Sequence, residues 1–151
     1  VADYASEDYY QTTTTGYSPY SFTSDSITFS VSSQATRPTG LFFKPDGTVL
    51  FIVGRDTDKV YSYTLSTAWD LSTASYTGTS LSVSSQHQVP SGIHFKPDGT
   101  KLYISGEVPP NVVDNSISEY SLSTAWDIST ASVNSVTGIF LQSHLMEMNF
   151  L

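Results

Sequence analysis

Phe43-Lys44-Pro45-Asp46-Gly47-Thr48 returns as Phe95-Lys96-Pro97-Asp98-Gly99-Thr100, a spacing of 52 residues, so the chain is built by repetition. A second phrase, Leu65-Ser66-Thr67-Ala68-Trp69-Asp70-Leu71-Ser72-Thr73-Ala74-Ser75, recurs at Leu122–Ser132 with one change, Leu71 to Ile128, at a spacing of 57. The difference places a five-residue insertion, carrying Pro109, Pro110 and Val112, between Gly106 and Tyr120 of the second copy. A period near 50 indicates stacked supersecondary units, none of which can bury its own apolar face alone.

Each unit offers four strand candidates. Gly40–Lys44 and Val49–Val53 flank Pro45-Asp46-Gly47, where Pro presets φ and Gly accepts positive φ, giving a tight hairpin. Val60–Leu65 alternates and carries Tyr61 and Tyr63; beyond the Trp loop, Leu81 and Val83 alternate with serines. The second unit repeats these strands at Gly92–Lys96, Leu102–Ser105 and Ile117–Leu122, with a degraded last segment at Ile139–His144. Hydrophobicity falls from the first two strands to the last, as expected where inner strands are sandwiched and the outermost meets water.

Upstream, Ile27, Phe29 and Val31 alternate with Thr28, Ser30 and Ser32, which predicts a half-buried assembly strand without a blade of its own. Ser30-Val31-Ser32-Ser33-Gln34 matches Ser82-Val83-Ser84-Ser85-Gln86, making this a surplus outer strand in need of a sheet. The acidic stretch before it holds Tyr4, Tyr9, Tyr10, Tyr17 and Tyr20 with no apolar period, and reads as an extended arm whose rings suit docking on a partner. Thr12, Thr13, Thr14 and Thr15 are candidate O-glycosylation positions, with a flexible spacer as the plainer reading. Val1 in place of an initiator Met suggests a processed form or a fragment. The expected organisation is an arm at 1–26, the extra strand and linker at 27–39, a first repeat at 40–91, and a second repeat with a degenerate C-terminal segment at 92–151.

With 14 acidic against 6 basic residues, the net charge of −8 argues against a nucleic-acid partner, which would need clustered Lys and Arg. The absence of cysteine excludes a disulfide framework and thiolate chemistry. No apolar run approaches the roughly 18 residues that a spanning helix needs. Ser and Thr supply roughly three residues in ten, a composition that suits a β-protein of an extracellular, cell or virion surface.

The phrase Gly-x-x-Phe-Lys-Pro-Asp-Gly-Thr-x-Leu-Phe/Tyr-Ile, at Gly40–Ile52 and Gly92–Ile104, resembles the blade repeats of bacterial YVTN-type and NHL-type β-propellers over about residues 27–144. Similar strings occur in repetitive surface proteins of aquatic bacteria and in phage structural proteins. The resemblance implies an all-β chain of two four-stranded antiparallel propeller-type blades, plus the extra N-terminal strand and arm. Trp69-Asp70 and Trp126-Asp127 resemble the WD dipeptide, but the period is longer than in that family and its Gly-His partner is missing. Single-chain propellers close with roughly four to eight blades. Two blades are therefore expected to leave a greasy sheet face at each end, forgoing on the order of 10 kcal/mol of burial per face. Other copies of the chain are the expected remedy, as a closed ring or as an open fibre with N-terminal strand donation.

Candidate chemistry is sparse. His94 replaces Phe42 of the first repeat and reads as a packed histidine between blades, while His87 and His144 are the only other imidazoles. Asp56 and Asp58 have a D-x-D spacing that suits Ca²⁺, although the second copy lacks matching acids and a solvated loop is the simpler reading. Trp69 and Trp126 are candidate sugar-stacking platforms or loop anchors. No nucleophile elbow, zinc-protease motif or phosphate loop is present. Propeller lactonases bring acidic and Asn metal ligands to the axial channel, whereas the axial strand starts here offer Gly40 and Gly92, so that class is set aside. The sequence thus predicts a non-enzymatic structural protein with no cofactor or metal, whose partners are itself and, in an alternative lectin-like reading, glycans.

Overall fold

The computed structural model describes residues 26–107 and 115–134. The chain is all-β: β1 (Pro38–Phe43), β2 (Val49–Gly54), β3 (Lys59–Leu65) and β4 (Ala74–Ser82) form one antiparallel sheet in that order. A second sheet is made by β5 (Val89–Phe95), β6 (Lys101–Glu107), β7 (Asn115–Leu122) and β8 (Ala131–Val133). No α-helix occurs among the described residues; single 3-10 turns, Leu71–Thr73 and Ile128–Thr130, precede the last strand of each sheet.

The two repeated phrases prove to be one clamp. In the Pro-Asp-Gly turn, Asp46 Oδ1 accepts from the Thr48 amide (3.0 Å) and hydroxyl (2.6 Å), while Lys44 Nζ lies 2.8 Å from its other oxygen. Lys44 and Thr48 together hold the Asp46 carboxyl down at about 2. Gly47 adopts φ +74°, and the amide of Trp69, itself at φ +67°, donates to its carbonyl at 3.0 Å. That bond lays the indole over the turn, where a Cβ on Gly47 would come within 2.4 Å of the ring. Asp98, Thr100, Lys96, Gly99 and Trp126 repeat every one of these contacts. The loop then ends in its 3-10 turn, capped by Asp70 or Asp127, whose carboxylates accept from the amides of Ser72 and Ser129.

Pleating divides the first sheet's side chains between two cores. Phe51, Val53, Val60 and Val83 point towards the second sheet and meet Phe95, Leu102, Ile104, Tyr120, Leu122 and Ile128. Phe51 and Phe95 pack with ring centroids 4.4 Å apart. The sheets approach most closely at their first strands, where a Cβ on Gly40 would lie 3.4 Å from the Gly92 backbone and Thr39 Oγ1 donates to the Pro90 carbonyl at 2.8 Å. On the opposite side of the first sheet, Leu50, Ile52, Tyr61, Tyr63 and Leu65 form a separate core with Ala35, flanked by Phe29, Val31, Phe43 and Leu71.

Three expectations are corrected. Ile27, Phe29 and Val31 do not form a strand: residues 27–31 carry no strand ladder with the described residues, and only Phe29 and Val31 turn inward. Their alternation reports an apolar surface beneath them, a signal that says nothing about hydrogen bonding. The fourth strand of the first sheet begins at Ala74, well before Leu81, because β4 carries a register shift opposite Tyr61 and Tyr63, with Gly78 at φ +83°, that breaks its period. In the second sheet the fourth strand likewise starts at Ala131, directly after its 3-10 turn, whereas the segment assigned to it, Ile139–His144, lies outside the described residues.

Candidate functional site

The repeat supplies its own reference for what each sheet face should touch. Ile93, Phe95, Leu102, Ile104, Tyr120, Leu122 and Ile128 make up the side of the second sheet that packs on the first. Their counterparts Leu41, Phe43, Leu50, Ile52, Tyr63, Leu65 and Leu71 form the outward side of the first sheet, which no other sheet covers among the described residues. Several of these positions are wetter there, whereas Tyr63 and Leu65 are as buried as Tyr120 and Leu122. Ile128 is 1% exposed and Leu71 only half-buried; Ile93 is half-buried while Leu41 is 62% exposed.

Segment 26–35 covers part of this side. Phe29 meets Tyr63 edge-on at 5.5 Å, and the Tyr63 hydroxyl donates to Gln34 Oε1 at 3.2 Å, as the Tyr120 hydroxyl donates to Gln86 Oε1 at 3.0 Å. Val31 and Val83 both open a turn in which the following Gln and the residue after it donate back to the valine carbonyl. Burial, with Tyr76 and Tyr61 nearby, pushes the Tyr63 phenol up to about 12. Linker residues 36 and 37 are tied down by Asp56, which accepts from the Thr36 amide at 2.9 Å and from its hydroxyl; these bonds lower its pKa. Asp56 is thus engaged with the linker, and no group of three His, Cys, Asp or Glu side chains gathers among the described residues.

The cover is incomplete. A groove of about 550 Å³ remains, with Leu50 and Ile52 buried along it and Phe29, Val31, Leu41 and Leu71 among its other lining residues. No charged side chain lines it among the described residues.

The opposite end of the stack differs. Where the first sheet turns Phe42, Val49, Phe51, Val53, Val60 and Ser62 towards its neighbour, the matching outward side of the second sheet carries His94, Lys101, Tyr103, Ser105, Ile117 and Glu119, with Ile117 68% exposed. Lys101 and Glu119 form an ion pair, and Asn134 Nδ2 donates to the same carboxylate at 2.6 Å. These bonds lower the Glu119 pKa and raise that of Lys101. The expectation of two greasy ends therefore holds for neither in simple form: one is partly covered by its own linker, and the other sets a Lys101–Glu119 ion pair beside the exposed Ile117.

The remaining sequence candidates are placed as follows. Trp126 lies between Phe42 (6.2 Å, stacked) and Phe95 (5.3 Å), while Trp69 leans on Phe43 at 5.2 Å and stays 58% exposed. His94 is exposed, with its ring edge-on to Phe42 at 5.3 Å. Thr12, Thr13, Thr14, Thr15 and His144 lie outside the described residues. Sequence reasoning missed His87, which is fully buried in the place of Ala35; its ring nitrogens make no well-formed hydrogen bond among the described residues, and burial lowers its pKa against the opposing pull of the nearby Gly106 and Ile104 backbone. Comparing the two repeats at that position would have flagged it.

No protein-family model matches the chain, and no curated protein matches it. Among solved structures, it is similar to a Bacteroides uniformis protein described as a 6-phosphogluconolactonase, at 17% identity and a TM-score of 0.44. The match covers 64% of this chain and 25% of that one, so the chain spans about a quarter of that protein's length.

Proposed function

We propose that this chain is a non-enzymatic structural protein of an extracellular, cell or virion surface, which works by stacking β-blades and is completed by further copies of itself. The observation that carries this reading is the repeat equivalence of the first sheet's grooved side with the side of the second sheet that is buried against a neighbour. A surface of that composition gains roughly 25 cal/mol for each Å² removed from water, and an exposed apolar patch of this kind is a normal signature of a protein contact. Light scattering coupled to gel filtration, with electron microscopy of the full chain, tests it: discrete or extended assemblies are expected. A monomer at every concentration would contradict it.

A lectin-like role is the second reading, favoured by the exposed Trp69 indole. An aromatic face free on one side can stack on a pyranose ring, and several copies in one assembly would add avidity. Its test is a glycan array comparing the full chain with Trp69→Ala, where binding lost in the variant supports the reading and no binding by either protein removes it.

A further inference from the structure

We infer that stacking is one-sided: two copies join through the grooved sides of their first sheets, and the outward side of the second sheet ends the array. This rests on the blade-stacking reading above and replaces an open fibre with a closed pair.

The argument starts from which surfaces a second copy can offer. Head-to-tail growth would set the groove of one copy against the outward side of the second sheet of the next. That side presents Lys101 and Glu119 in an ion pair, the Asn134 and Ser121 side chains bonded beside it, and Ser105 where the first repeat has Val53, with the exposed Ile117 beside Ser105 as its apolar exception. The groove offers these groups almost nothing in return, since its lining is Phe29, Val31, Leu41, Leu50, Ile52 and Leu71 with Pro38, Thr39 and Gly40. Burying a charged pair under hydrocarbon costs several kcal/mol per ion before any gain. Terminal repeats of stacked arrays carry a polar outer side for this reason.

The surface of a second copy that does match the groove is the same groove. Apolar contact on apolar contact about a two-fold axis is isologous, and it closes at two subunits. Leu41 lines the groove yet is 62% exposed, and supplies the knob that a self-complementary contact requires. No charged group lines the contact among the described residues, so like net charge opposes pairing only at long range, and added salt should strengthen it.

Sedimentation velocity over a wide concentration range tests this with three full-length proteins. The native chain should saturate at a dimer. Leu41→Asp, at an exposed position, should raise the dissociation constant at least about tenfold by placing a charge in the apolar contact. Giving the second sheet the first repeat's residues, His94→Phe, Lys101→Val, Tyr103→Phe, Ser105→Val and Glu119→Ser, should remove the stop and let the chain grow past the dimer. If that protein does not fold, Lys101→Val with Glu119→Ser alone should still form larger species. A native chain that polymerises without limit would overturn one-sidedness while leaving blade stacking intact, and a native chain that stays monomeric would overturn both. A dimer indifferent to Leu41→Asp, or a folded exchange variant that stops at two, would also refute the inference.

Discussion

At the residue scale, the turn glycines and the tryptophans share one constraint, and their substitutions should separate backbone strain from lost packing. Gly78 and Gly99 both have φ near +80°, but a Cβ on Gly78 meets nothing within 4 Å, whereas one on Gly99 falls 2.4 Å from the Trp126 indole. Gly78→Ala should therefore cost about 1 kcal/mol of strain, and Gly99→Ala about 2 to 4 kcal/mol as the indole is displaced from its seat beside Phe42 and Phe95. Urea midpoints measure both, and equal losses would mean that the indole seat contributes little. His87 gives a pH prediction. Its folded pKa lies below the ordinary value near 6.5, so its stabilising neutral form is complete above about pH 6.5. That contribution is lost as pH falls through the folded pKa, because the unfolded chain takes up a proton that the buried ring does not. The loss precedes that from Asp46, which begins as pH falls into the ordinary carboxylate range and is complete only below its folded pKa of about 2. Urea midpoints from pH 8 to 5 should decline for the native chain and flatten for His87→Ala, the residue type found at Ala35.

At the scale of elements, segment 26–35 behaves as a cover for the first sheet, and Phe29→Ala should uncover Tyr63 at a cost of about 1 to 3 kcal/mol, read from thermal and urea unfolding. An unchanged midpoint would mean that the segment does not hold the sheet. Much of this level was legible in the sequence. Pro45-Asp46-Gly47 fixed a hairpin because its turn chemistry is local, and Val49–Val53 announced a strand buried on both sides. Phe29 and Val31 were legible as inward-facing positions but not as backbone outside a strand, since side-chain alternation follows the surface beneath and carries no information about a ladder partner. β4 escaped because its first half, Ala74–Thr79, has Tyr76 as its one large apolar residue and a glycine bulge that shifts the register. The joining of the two repeated phrases into one clamp was also hidden, because it depends on an indole meeting a glycine across a hairpin.

For the whole molecule, repetition predicted stacking but not the unlike ends of the stack. The difference is written in substitutions between repeats, Val49 to Lys101 and Ser62 to Glu119 among them, which gain meaning only once pleating assigns those positions to one side of a sheet. The grooved side of the first sheet is the surface on which the account depends, and the lack of cysteine allows it to be probed site by site. Leu41→Cys and Ile117→Cys place single thiols at exposed positions on the grooved side and on the outward side of the second sheet, respectively. Treatment of each full-length variant with a short bis-maleimide should link two copies efficiently through position 41 and leave position 117 unlinked. Linkage through position 117, or none through position 41 at concentrations where the chain associates, would contradict the assignment of the assembly surface.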